Sequence, residues 1–197
     1  MTDRLTRPTR TLLVLAASTA AVTGAACSTF TGVPASLPTV TDTATVFAIN
    51  GAPPGAPSAL HMFSGTVLAA DATFIFDLAF DIDGNGNAVI LPQRAVSSGL
   101  APTHTVALQK STETFDALGS APRSGYRADT ALVVGPNEVV VVQSQDPNVC
   151  GVSITGTSIN GKVVVESIDP VARQLKIRFT VDPNCGFRSF ASGVPKD

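Results

Sequence analysis

The sequence predicts an all-β chain: an antiparallel β-sandwich, immunoglobulin-like or jelly-roll-like, with at most one short helix. Two observations lead there. Apolar and polar residues alternate in short runs, most cleanly where Leu175, Ile177, Phe179 and Val181 interleave with Gln174, Lys176, Arg178 and Thr180. A period of two puts one face in a core and the other in water. Between such runs stand Gly, Pro and Asn turn residues, and no long helical period interrupts them, which is the signature of a sandwich or barrel.

The elements follow in order. Residues 45–49 read as a short strand, ended by the loop 50–58 (NGAPPGAPS). Residues 60–69 and 73–83 are the next two strands, turning at Ala70-Asp71-Ala72. In the second of these, Phe74, Phe76, Leu78, Phe80 and Ile82 share one face, while Asp77, Asp81 and Asp83 share the other. Gly84-Asn85-Gly86 is strong hairpin chemistry and leads into a strand at 88–91, followed by one at 104–109. A helix is predicted over 113–118, with Thr112 as N-cap and Gly119 as stop. Strands at 127–134 and 138–145 flank the turn Gly135-Pro136-Asn137. The continuous run Val139-Val140-Val141-Val142 suggests a central strand covered on both sides. The last hairpin pairs 162–168 with 173–181 around Asp169-Pro170-Val171-Ala172.

The N-terminus reads as an export signal. Arg4, Arg7 and Arg10 precede a short apolar run at 11–22, and Thr23-Gly24-Ala25-Ala26 supplies small residues for cleavage just before Cys27. The run is short of the ~20 apolar residues of a spanning helix. The small pair Ala25-Ala26 followed by Cys27 resembles the processing site of bacterial lipoproteins, a resemblance confined to residues 1–27. It implies a lipid on Cys27, membrane attachment through that anchor, and a place in the cell envelope facing the periplasm or outside. The position three before the cysteine is usually Leu or a similar aliphatic and is Gly24 here. Gly24-x-Ala26 also suits ordinary signal peptidase, so soluble secretion stays open. The expected division is a signal at 1–26, a Ser/Thr/Pro-rich tether at 27–43 and one sandwich domain at 44–197.

With Cys27 carrying lipid, Cys150 and Cys185 remain as a pair in an oxidising compartment. Both end nearly the same phrase, Asp146-Pro147-Asn148-Val149-Cys150-Gly151 and Asp182-Pro183-Asn184-Cys185-Gly186. Turn chemistry at both places predicts strand ends at one rim of a sheet. A disulfide across that loop contributes about 3.5–4 kcal/mol in the chain-entropy model. Two Cys without a nearby His fall short of a zinc site.

Charge excludes one partner class. The whole chain carries 13 Lys+Arg against 15 Asp+Glu; without the three Arg and one Asp of residues 1–26 the balance is 10 against 14, a net charge of −4. With no basic patch, nucleic acid is disfavoured as a partner. With no Trp and one Tyr, Tyr126, the chain lacks the stacking platforms of carbohydrate-binding sandwiches.

One cofactor is suggested. Asp81-x-Asp83-Gly84-Asn85-Gly86-Asn87 resembles the first half of an EF-hand or dockerin calcium loop, with oxygen ligands at positions one, three and five and Gly at six. Position twelve, normally Glu, is Pro92, and the alternative is a hairpin whose Asp and Asn satisfy their own turn. Asp77, Asp81, Asp83, Asn85 and Asn87 are the candidate ligands.

Enzyme motifs are missing: there is no nucleophile elbow, His-Glu-x-x-His or Walker loop, and the Gly-flanked Ser153 of residues 151–156 has the wrong spacing. A hidden hydrolase would need His61 or His104 within ~3 Å of a Ser or Asp side chain. Arg123-Ser124-Gly125-Tyr126-Arg127, and Arg188 between Phe187 and Phe190, are two small patches that read as either recognition or solvated loop. The leading expectation is a non-catalytic envelope lipoprotein with a structural or protein-binding domain, another envelope protein being its partner. A calcium-dependent ligand-binding module comes second and the hydrolase third.

Overall fold

The structure, a computed structural model, describes residues 34–71, 74–97, 99, 103–151 and 156–196. The segment read as an export signal, Cys27 and Ser153 lie outside the described residues. Two antiparallel sheets form the domain. The first holds six strands in the order β1 (Val40–Phe47), β11 (Gln174–Asp182), β10 (Ile159–Asp169), β9 (Val139–Gln145), β6 (Thr105–Lys110) and β7 (Arg127–Ala128). The second holds β3 (Thr66–Leu68), β2 (Ala59–His61), β4 (Leu78–Ile82), β5 (Ala88–Pro92) and β8 (Leu132–Val134). The chain is an all-β sandwich, as the alternation predicted.

Its core is filled by the inward faces of both sheets. Leu175, Ile177, Phe179 and Val181 of β11 meet Val163 and Val165 of β10, Val140 and Val142 of β9, and Leu78, Phe80 and Ile82 of β4. Gly161 in β10 leaves room for the opposite sheet: a Cβ there would sit 2.2 Å from the Met62 methyl and 2.9 Å from the Thr180 carbonyl oxygen.

The outer face of the six-stranded sheet is also covered. Val139, Val141 and Val164 pack under Phe115, Leu118, Ala121 and Phe190, so β9 is sealed on both sides as its unbroken valine run implied. Arg178, its guanidinium over the Phe115 ring, is half-buried and Thr180, bonded to the Thr41 hydroxyl, is buried, two residues the alternation assigned to water.

Several boundaries differ from expectation, each for a local reason. The strand predicted over 60–69 folds back as the β2–β3 hairpin, turning where Gly65 adopts φ 61°. The strand at 127–134 divides between the two sheets at Asp129, whose φ is 48°. The Gly135–Asn137 turn likewise passes the chain from one sheet to the other. Strand β1 begins at Val40, inside the stretch read as tether, because its first residues pair with β11. No helix forms at 113–118; a single turn closes there, the Leu118 amide donating to the Thr114 carbonyl at 3.0 Å. Two one-turn helices stand elsewhere instead, α1 (Gln93–Val96) and α2 (Pro147–Cys150).

Candidate functional site

The rim that holds both cysteines is built twice from the same local chemistry. Strands β9 and β11 both pair antiparallel with β10, so both end on the same side of the sheet. At each end the aspartate of an Asp-Pro-Asn phrase accepts from the asparagine amide two residues on, Asp146 from Asn148 at 2.9 Å and Asp182 from Asn184 at 3.0 Å. The chain is thereby turned the same way twice, and Cys150 and Cys185 form a disulfide with Cα atoms 5.6 Å apart. Burial pushes the Asp182 carboxyl above its ordinary value, against the pull of Asn184.

Of the five calcium candidates, Asp83, Asn85 and Asn87 stay together in the hairpin, while Asp77 and Asp81 are engaged by other partners. The alternation in 73–83 slips by one between Asp77 and Leu78. Phe76 and Ala79 consequently lie in a separate cluster with Ala59, Phe74 is exposed, and Asp77 faces the six-stranded sheet. Asp77 therefore does not share a face with Asp81 and Asp83, correcting the sequence reading. Asp81 is held by Arg173 at 2.7 Å and by the Asn50 side-chain amide. Asp83 accepts from the Asn85 amide at 2.9 Å and the Asn87 amide at 2.8 Å, and these bonds help hold its carboxyl below the usual range. Among the described residues no group of three or more His, Cys, Asp or Glu side chains is placed to hold a metal ion.

Asp77 instead joins a cluster that no sequence motif announced. Its Oδ1 lies 3.0 Å from His104 Nε2 and accepts from the Ser144 hydroxyl. Its Oδ2 accepts from the Met62 amide at 2.5 Å. His104 Nδ1 lies 2.6 Å from Gln93 Oε1. Asp77 and Gln93 belong to the five-stranded side, His104 and Ser144 to the six-stranded side, so the cluster cross-links the two sheets where the chain passes between them. Burial pulls the His104 pKa down, but the hydrogen-bonded Asp77 carboxylate outweighs it and the net shift is upward. With an acceptor at each nitrogen, the ring suits the imidazolium form.

Ser, His and Asp do converge here, and the arrangement differs from a catalytic triad. Nε2 faces Asp77 and Ser144 alike at 3.0 Å, whereas a triad sets carboxylate and serine on opposite ring nitrogens. All three residues are buried, with exposures of 2% for Asp77, 1% for His104 and 2% for Ser144. His61, the other histidine, contacts the Ser64 hydroxyl at 2.8 Å near the surface.

The covered outer face holds the remaining chemistry. Lys162, not singled out by the sequence, is buried with its ammonium donating to the carbonyls of Phe115 at 2.5 Å and Leu118 at 2.8 Å. The Phe115 ring centre lies 4.5 Å away, and burial lowers the ammonium pKa. This anchor fixes the 111–121 segment to the sheet, and the 186–190 tail pairs alongside it. Between them lies a pocket of about 390 Å³ lined by Ser120, Arg123, Gly186, Arg188 and Ser189. The two arginine patches that looked separate in sequence thus meet in one place. Tyr126 donates to the Pro122 carbonyl at 3.1 Å, its phenol pushed up to about 12 by burial.

Among the described residues no helix is long and apolar enough to cross a membrane. Compared with protein-family models, curated proteins and solved structures, the chain matches none.

Proposed function

We propose that this protein is a non-catalytic cell-envelope lipoprotein, anchored through Cys27, whose sandwich serves a structural or protein-binding role. The Cys150–Cys185 disulfide is the observation that carries the reading, since disulfides form and persist in oxidising compartments. The Arg-led apolar segment and the Ala25-Ala26-Cys27 sequence point the same way. The sealed Asp77–His104–Ser144 cluster supports a structural rather than catalytic use of the residues a hydrolase would need.

The test is metabolic labelling with palmitate. Label and membrane fractionation are expected in the wild type and lost in Cys27→Ser. An unlabelled, soluble wild-type protein with its leader removed would leave plain secretion as the correct reading.

A further inference from the structure

The pocket between the 111–121 segment and the 186–190 tail is walled by paired backbone. The Ala121 amide donates to the Arg188 carbonyl and the Phe190 amide to the Gly119 carbonyl, each at 2.8 Å, and Ser120 bridges Ser189. Phe190, 7% exposed, packs into the cover beneath. Gly186 reaches the lining with a φ of 83°, a conformation that favours glycine.

Its charge is one-sided. Arg94, Arg173 and Arg178 each pair with a carboxylate. Among the described residues Arg123, Arg127 and Arg188 pair with none, and two of these, Arg123 and Arg188, line the pocket. Arg188 donates to the Ala121 carbonyl, while its Nε–H is buried without an acceptor. Two uncompensated guanidinium groups beside one cavity stand out in a chain of net charge −2. The neighbouring Tyr126 phenol stays neutral and supplies no counter-charge. Arg188, half-buried and without a carboxylate, carries a desolvation cost that an anion would offset, while exposed Arg123 adds a second positive charge at the mouth.

We propose that this pocket binds an oxyanion, a carboxylate or phosphate, gripped by Arg123 and Arg188 with the hydroxyls of Ser120 and Ser189 completing its shell. Guanidinium forks match both anions in geometry. At about 390 Å³ the space exceeds that of a bare ion and falls at the lower end of small-molecule sites, so the anionic group belongs to a ligand of several heavy atoms. The inference stands on the pocket alone and is independent of how the chain is anchored.

The experiment is an amide chemical-shift titration of the whole protein at low ionic strength, first with inorganic phosphate and then with succinate. Saturable shifts are expected at Ser120, Arg123, Gly186 and Ser189 with at least one of them, and the tighter anion names the ligand class. Arg123→Gln, an exposed site whose side chain holds no described partner, should weaken that binding at least about tenfold while the melting temperature stays put. Arg188→Lys, which keeps the charge and loses the fork, should weaken it as well. Titrations that fail to saturate with either anion, shifts that map elsewhere, or binding indifferent to Arg123→Gln would each overturn the proposal.

Discussion

Asp77 and Asp83 flank the same five-residue strand, β4, and meet opposite fates. Asp83 is half-buried at the surface and answers to its own hairpin, taking amides two and four residues ahead. Asp77 is buried and answers to residues 15, 27 and 67 positions away in sequence. One carboxylate shapes a turn; the other cross-links two sheets. The difference shows that the same residue type, in the same stretch, is governed by local bonding where water is available and by distant partners where it is not. An ionised carboxylate in the core persists only when hydrogen bonds and charge replace its hydration.

The largest effect should come from breaking the buried side. Asp77→Ala leaves His104, Ser144 and the Met62 amide without their acceptor, and is expected to cost about 3–5 kcal/mol in a urea unfolding curve. A loss below about 1 kcal/mol would mean the cluster contributes no more than an exposed ion pair.

Next comes pH. The folded His104 pKa lies above its ordinary 6.5, so its contribution is complete below 6.5 and declines as pH rises through the folded value. Stability measured on the alkaline side of 6.5 should therefore fall with pH in the wild type, and His104→Gln should flatten that slope. An unchanged slope in the variant would assign the titration to another group.

The smallest effects belong to the hairpin. Asp83 has a lowered pKa, so its contribution is present above its ordinary 3.8 and is lost only as pH falls through the lower folded value. Asp83→Ala should move the unfolding midpoint far less than Asp77→Ala, and the ranking reversed would undo the contrast between them. Because Asp81 is occupied by Arg173 and Asp83 by its turn, millimolar calcium should leave the melting temperature unchanged. An upward shift, lost in Asp83→Ala, would identify the loop as a calcium site.

Local chemistry explains what was readable in advance. The alternation in β11, the valine run of β9, the Gly84–Gly86 hairpin and the twin Asp-Pro-Asn turns each involve residues within a few positions of one another, and each signals its structure directly. The strand at 73–83 was misread because a single slip between Asp77 and Leu78 reverses which face a side chain takes, and alternation carries no mark of such a slip. Lys162 gave no signal either, since its partners, the carbonyls of Phe115 and Leu118, lie more than 40 residues upstream.

By itself the sequence established an all-β sandwich with a cysteine pair at one rim, because period-two patterning and turn residues act over short range. Tertiary structure alone decided that Asp77, His104 and Ser144 meet in the dark and that Arg123 and Arg188 share a pocket. Those encounters depend on which strands pair and which sheet receives each one, and that is settled by burying apolar surface across the whole chain rather than by any neighbouring residue.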